Sequence, residues 1–266
     1  QGYTTTLGRG GSDFTATIIA RSLADIYPDK NIKVILWKNV DGILSASPHM
    51  VKEPNLLRNI SYAEAKEIAY FGAKVLHPKC ISPLEEKTIP LEIRNFDKSL
   101  DSPFTLISKE GDISVIIKGV SVLDNVALLT ARSSGLVAIP GTLANIFSVL
   151  GGNNISVSLV SQSSSEVNTT FCIKQEDGDK ALKLLKGSNL FKEWFEFILN
   201  EDIVVIGVIG LVYKKGVKKQ IFASLEDQGI EVIAIAQSAD GLNISLVVEK
   251  GCRKEAIQAI HGAFDF

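Results

Sequence analysis

Residues 141–173, GTLANIFSVLGGNNISVSLVSQSSSEVNTTFCI, and residues 216–248, GVKKQIFASLEDQGIEVIAIAQSADGLNISLVV, align at one constant offset without a gap. Ile146 matches Ile221, Phe147 matches Phe222, Leu150 matches Leu225, Ile155 matches Ile230 and Val157 matches Val232. The polar positions Gln162/Gln237, Ser163/Ser238 and Asn168/Asn243 match as well. A repeat of this length is one supersecondary unit that buries little core alone, so the two copies are expected to pair. Within each copy a glycine turn leads into apolar residues at helical spacing, then a β-rich run, a tight polar turn and a second run. With a strand before and a helix after, each copy reads as βαββαβ, a small antiparallel sheet with helices on one face. The expected units span 112–200 and 201–266, and the strand around 115–122 can join either.

Upstream of the repeat the pattern changes. Residues 13–25 are amphipathic and open on Ser12 and Asp13, which predicts a capped helix. IKVILW (32–37) is a continuous apolar run, expected as a buried parallel strand. Residues 61–76, SYAEAKEIAYFGAKVL, follow helical spacing, and IPLEIRNF (89–96) reads as a second strand. Strand, helix and strand in turn predict an α/β layer fold over residues 1–110. Residues 97–111 are polar, contain Pro103 and Gly111, and read as the linker.

Composition narrows the classes. The 266 residues are 45% hydrophobic with a net charge of −2, without the basic surplus of a nucleic-acid binder. No apolar run approaches the ~20 residues of a membrane span, and no signal peptide is visible. Three widely spaced cysteines, Cys80, Cys172 and Cys252, suit a reduced chain, expected in the cytoplasm or, in a plant, the plastid. Three isolated histidines and no ligand spacing argue against a metal cage built by the protein. Gln1 is not a plausible translation start, so a longer polypeptide is expected.

The chemistry concentrates in TTTLGRGGSDFTA, residues 4–16. Glycine lets backbone approach a ligand, and the N–H groups opening the following helix attract anions. Arg9 can fork onto a carboxylate or phosphate, and Asp13 can hold an ammonium. The set suits a small zwitterion beside a phosphate. Read without other motifs, it could equally be a glycine turn capping a helix. No Lys-Ser/Thr follows the glycines, so it is not a Walker A loop.

Five stretches together resemble the aspartate kinase family: TTTLGRGGSDFTA, LWKNVDGILSASP (36–48), FGAKVLHP (71–78), IKGVSVLDNVALLT (117–130) and SQSSSEVN (161–168). The resemblance covers nearly the whole chain. It implies an α/β architecture: the C-terminal part of an amino-acid-kinase fold, then two ACT modules, one inserted into the other. The implied reaction is phosphoryl transfer from ATP to the side-chain carboxylate of L-aspartate, giving 4-phospho-L-aspartate. A carboxylate is already nucleophilic at neutral pH, so positioning and charge neutralisation with Mg²⁺ carry such a step. Arg9 would take the substrate α-carboxylate and Asp13 its ammonium. Gly10, Gly11 and Ser12 would face the transferred phosphate. Lys38, Asn39, Asp41, Gly42 and Ser45 would form the nucleotide loop, and Lys74 would reach the ATP phosphates. Asp41 could equally be a turn residue, Lys74 a solvated lysine, and His77 is expected to hold its turn by a hydrogen bond.

The resemblance also implies a feedback effector, lysine or threonine, held by Ser133, Gly135, Ser163, Ser164, Ser165, Glu166 and Asn168 of the first ACT module, in a homo-oligomer paired through these modules with sheets side by side. In the second copy Ala239, Asp240 and Gly241 replace the Ser-Ser-Glu of the first, so that copy is expected to serve pairing. Solvated hairpins are the bland alternative for both turns. Departures from the family pattern exist. A KFGGTS-like segment with a phosphate-binding lysine and a further acidic residue are not among these residues, so the 266 residues alone are expected to be inactive. The nucleotide loop carries Ser47 and His49 where an Asp and an Arg are commoner. An inactive kinase remnant serving as a regulatory amino-acid-binding module, or part of a fusion to homoserine dehydrogenase, are the competing readings.

Overall fold

The computed structural model describes residues 2, 5, 7, 8, 10–72, 75–133, 141–163, 168–192 and 194–266. It opens on helix α1 (Gly11–Ile26), followed by strands β1 (Val34–Lys38) and β2 (Asn59–Ser61), helix α2 (Tyr62–Tyr70), a 3-10 turn (Pro78–Cys80) and short helix α3 (Ser82–Glu86). Strands β3 (Leu91–Asn95) and β4 (Thr105–Ser108) complete a four-stranded sheet in the order β1-β3-β4-β2, with β1 parallel to β3 and β2 parallel to β4. Two readings change here. Residues 97–111 are not a linker, because β4 lies inside the sheet, antiparallel to β3. The run at 32–37 is not buried throughout: β1 is an edge strand, burying Val34 and Leu36 while Trp37 stays 46% exposed.

Helix α2 is shorter than its periodicity predicts. Ser61 and Glu64 form a reciprocal capping box at its start. It stops at Tyr70 because Gly72 takes a left-handed φ of 104°, which ends the helical hydrogen-bond pattern. Helix α1 has no Ser12 or Asp13 cap: it starts two residues earlier, at Gly11, from Gly10 at φ 76°.

The remaining chain forms two sheets of one design. Strands β5 (Ile117–Leu123) and β6 (Val126–Ser133) lead to helix α4 (Thr142–Gly152), strands β7 (Val157–Gln162) and β8 (Asn168–Lys174), helix α5 (Gly178–Gly187) and strand β9 (Phe195–Asn200). Strand β10 (Ile203–Gly210), helix α6 (Val217–Glu226), strands β11 (Ala234–Gln237) and β12 (Asn243–Glu249) and helix α7 (Arg253–Gly262) follow. The sheets run β7-β8-β6-β9 and β11-β12-β10-β5, so corresponding strands occupy corresponding places. The fourth strand differs in origin: β9 follows the first unit, whereas β5, antiparallel to β10, precedes it. The first unit is therefore inserted between β5 and the rest of the second.

Period-two alternation sorts each central strand onto two faces. In β10, Val204, Ile206 and Val208 pack with helices α6 and α7, while Ile203, Val205 and Ile209 point the other way. In β6, Ala127, Leu129 and Ala131 face α4 and α5, while Val126 and Leu128 point the other way. The two inward faces meet in one core with Leu159, Cys172, Val247 and, from α2, Ala65 and Ile68. The pairing of the copies is thus face to face through side chains; no hydrogen-bonded edge joins the two sheets among the described residues. Side-by-side pairing of sheets is not the arrangement within one chain.

Candidate active site and effector turn

The glycine turn, β1 and the segment after α2 converge on one cleft. Gly10 needs its left-handed φ to swing the chain into α1, and it has no room for a side chain: a Cβ there would lie 2.9 Å from Cβ of His77. His77 in turn accepts a hydrogen bond at Nδ1 from the Lys79 N–H, 3.2 Å, fixing the 3-10 turn as its structural reading requires. The first N–H groups of α1 have no partner inside the helix and carry the positive end of its dipole. Gly10, Gly11, Ser12 and Asp13 line an open cleft of about 530 Å³ with Lys38 of β1 on its wall.

Asp13 and Lys38, 25 residues apart, form a part-buried ion pair, with Nζ 2.8 and 2.6 Å from the two carboxylate oxygens. The cleft thus holds one fixed anion and one fixed cation against each other, beside a helix N-terminus. Beneath it, burial raises the Cys80 thiol, with the negative charge of Asp13 adding to the effect. Cys80 is a neutral packing group there.

The nucleotide-loop residues divide. Lys38 lines the cleft, and Asn39 is exposed on the bend that follows. Asp41 is not among the cleft residues: its carboxylate pairs with Lys98 Nζ at 2.7 Å and accepts from Asn95 Nδ2 at 2.8 Å, which hold its pKa below the usual carboxylate value. Gly42 and Ser45 leave the ligand set. A Cβ on Gly42 would sit 2.8 Å from Leu56 Cδ1 and 3.0 Å from Thr105 Cβ, so this glycine is a packing requirement between the loop and β4. Gly42→Ala is accordingly expected to destabilise by about 1–3 kcal/mol, as overpacking does; an unchanged urea midpoint would remove the assignment. Ser45 is fully buried, its Oγ accepting from the Asn55 N–H at 2.9 Å and sharing a 2.8 Å hydrogen bond with His261 Nε2 of α7. It joins the loop to the second repeat unit and cannot reach a nucleotide. Arg9 and Lys74 lie outside the described residues.

At the far end, register places Arg132 of β6 opposite Asn168 of β8, so Ser133 ends its strand beside the β7–β8 turn. Ser163 and Asn168 close that turn: the Ser163 N–H donates to Asn168 O at 3.1 Å and the Asn168 N–H to Ser163 Oγ at 3.4 Å. Gly135, Ser164, Ser165 and Glu166 lie outside the described residues. The matching turn of the second copy is satisfied internally. Ser238 Oγ donates to Asp240 at 2.5 Å, Asp240 also accepts from the Leu242 N–H at 3.0 Å, and Asn243 is engaged elsewhere.

Comparison with known proteins agrees with both halves. The amino acid kinase family model matches residues 1–95, and an ACT domain model matches 129–188 and 203–264. The chain is 34% identical to the bifunctional aspartokinase/homoserine dehydrogenase of Haemophilus influenzae, over 99% of this chain and 32% of that protein. The aspartate kinase of Clostridium acetobutylicum superposes with a TM-score of 0.86 at 26% identity, over 98% of this chain and 59% of that one. Escherichia coli aspartokinase III, solved with aspartate and ADP and again with lysine and aspartate, superposes with TM-scores of 0.80 and 0.77 at 29% identity, with 57% of its chain covered.

The chain belongs to the aspartate kinase family.

It spans about a third of the length of the Haemophilus relative, and under two thirds of the solved aspartate kinases. Like an aspartate kinase it joins an amino-acid-kinase portion to ACT domains, and the insertion of one ACT unit into the other follows from the strand order given above. Sequence reading missed three contacts that hold the site. The Asp13–Lys38 pair and the seat of His77 under Gly10 depend on distant segments and leave no local mark. Gly207 did leave one, since a glycine in the Val/Ile run of β10 signals a close approach: its missing side chain is replaced by the ring of Phe71, 2.7 Å from where a Cβ would be.

Proposed function

We propose that these residues supply part of the catalytic unit and the regulatory modules of an aspartate kinase, which transfers a phosphoryl group from ATP to the side-chain carboxylate of L-aspartate. The observation that carries this reading is the cleft at the start of α1, where Gly10–Asp13 face Lys38 across a helix N-terminus. Substrate ammonium would replace Lys38 as the partner of Asp13, and Arg9 would fork onto the substrate α-carboxylate. Released, Lys38 would turn its charge to the nucleotide phosphates, with Lys74 on the same side. The helix N–H groups and the Ser12 hydroxyl would face the transferred phosphate. Among the described residues no three His, Cys, Asp or Glu lie together as metal ligands. Mg²⁺ would therefore be held chiefly by ATP, neutralising its phosphates.

The turn between β7 and β8, with Ser133 beside it, would bind the amino-acid effector. The self-satisfied turn of the second copy supports placing it in the first, and the lysine complex of the Escherichia coli enzyme favours lysine over threonine. Pairing of these modules between subunits would make a homo-oligomer in the cytoplasm or plastid; no described helix is long and apolar enough to cross a membrane. The reading places the protein at the head of lysine and threonine biosynthesis. A dehydrogenase portion joined to these residues is a second reading, favoured by the bifunctional Haemophilus relative.

The test uses the natural polypeptide that contains these residues. With MgATP, ADP release should rise with aspartate and saturate, and L-lysine or L-threonine should inhibit it. ADP release that does not depend on aspartate would defeat the catalytic reading. Aspartate-dependent release indifferent to both amino acids would defeat the regulatory one.

A further inference from the structure

Helix α2 packs against both ACT sheets, with Ala65 and Ile68 in one core with Leu128 and Leu159 of the first and Val205 and Val247 of the second. On its second turn Glu67 accepts a 2.7 Å hydrogen bond from Nδ2 of Asn243 at the start of β12. One turn on, Phe71 lies against Gly207 of β10, buried to 3% exposure. Between them Tyr70 lines one cavity with Val157 and Ser158 of β7. Six residues beyond Phe71 the chain arrives at His77, whose Cβ packs on Gly10. Helix α2 packs on the 3-10 turn that His77 opens, with Ile68, Phe71, Leu76 and Cys80 in one core, so a packed path runs from β12 through α2 to the turn that opens the cleft.

We propose that Glu67 and Asn243 are a positioning pair: the second ACT unit, whose own polar turn is closed on itself, grips α2 through Asn243 and thereby sets the position of His77 and of the Gly10–Asp13 turn. The repeat gives the reason for the asymmetry between the copies. Asn168, the counterpart of Asn243, stays at an exposed turn, whereas Asn243 is committed to the kinase portion. The Phe71–Gly207 contact fixes the end of the lever, and the bond between Glu67 and Asn243 fixes its rotation. The catalytic consequence rests on the aspartate kinase reading; the positioning of His77 by α2 does not.

The pair can be broken and remade. Asn243→Asp sets two carboxylates against each other, and adding Glu67→Gln restores one donor and one acceptor in reversed order. In the natural polypeptide, Asn243→Asp is expected to speed amide hydrogen exchange in peptides covering 10–14 and 75–80 about fivefold or more. It should also lower kcat/KM for aspartate about tenfold, as small misplacements of a site do. The double variant should bring both within about twofold of the unmodified protein. If Asn243→Asp does not fold, Asn243→Ala, which removes the donor without adding charge, carries the same expectation. Unchanged exchange at 10–14, unchanged kcat/KM, or a double variant no better than the single overturns the proposal. Absence of aspartate-dependent turnover in the unmodified protein would count against the function instead, and the exchange measurement would still decide the positioning.

Discussion

Asp13→Asn is expected to lower kcat/KM for aspartate about 10²-fold or more while the thermal midpoint moves little. Asp13 lies in the first turn of α1, lines the cleft, and has a side chain 17% exposed, so an ammonium that reaches it does so with little competing water. A hydrogen bond to a charged group contributes about 1.5–3 kcal/mol, and the field of the helix N-terminus adds to the cost of rearranging the site. At 1.4 kcal/mol per tenfold, those contributions together reach about 10²-fold. The stability cost stays near 1 kcal/mol, because the Lys38 ammonium keeps partial access to solvent and can turn outward. Lys38→Met gives the complementary split: KM for ATP should rise, with KM for aspartate changed much less. The two substitutions should be non-additive, since each unmodified side chain is the resting partner of the other. Steady-state kinetics in both substrates decides the matter; equal effects of both variants on both KM values would show that the pair only holds the fold.

The largest expected effect on stability is at Glu64. Lys118 of β5 is 1% exposed and Glu64 of α2 is 4% exposed, and they form an ion pair at 4.0 Å. The second Glu64 oxygen accepts from the N–H and hydroxyl of Ser61 at 2.7 and 2.9 Å, and the Lys118 ammonium also donates to the Asp112 carbonyl. Glu64→Leu would leave an ammonium buried with one carbonyl partner and would also remove the Glu64 half of the capping box. The expected loss is about 3–5 kcal/mol in urea unfolding. The double variant Glu64→Leu/Lys118→Met should regain most of it, because the cost is that of the stranded charge. The pH dependence has a definite sign. Burial lowers the Lys118 pKa below 10.5, and Glu64 opposes that shift. Without Glu64 the folded state binds the proton still less well than the unfolded state, so stability of the single variant should rise as pH climbs from the lowered folded value towards 10.5. A loss below about 1 kcal/mol, or no recovery in the double variant, would show that the pair is solvated.

Much of the fold was legible because the relevant forces are local. The repeat at 141 and 216, the alternation in β10 and the glycines before α4 and α6 follow from side-chain period and backbone freedom. They made two βαββα runs readable from residue order. The cleft residues Gly10–Asp13 and Lys38 were legible by motif, and the tertiary structure brings them together. Other features depend on what a segment meets elsewhere. Thr105–Ser108 looked like linker because four residues carry too little periodicity, and only β3 and β2 on either side make them a strand. The strand at 117–123 could pair with either unit on propensity alone; antiparallel register with β10 decided it. Ser45 and Gly42 sit in a ligand-like loop sequence, yet His261, Asn55, Thr105 and Leu56 close around them. The residue types of this chain therefore determined its units and the chemistry of its cleft. Which polar groups face that cleft, and which are consumed as internal partners, was decided by long-range packing, because a hydrogen bond or ion pair needs both groups and sequence order shows only one at a time.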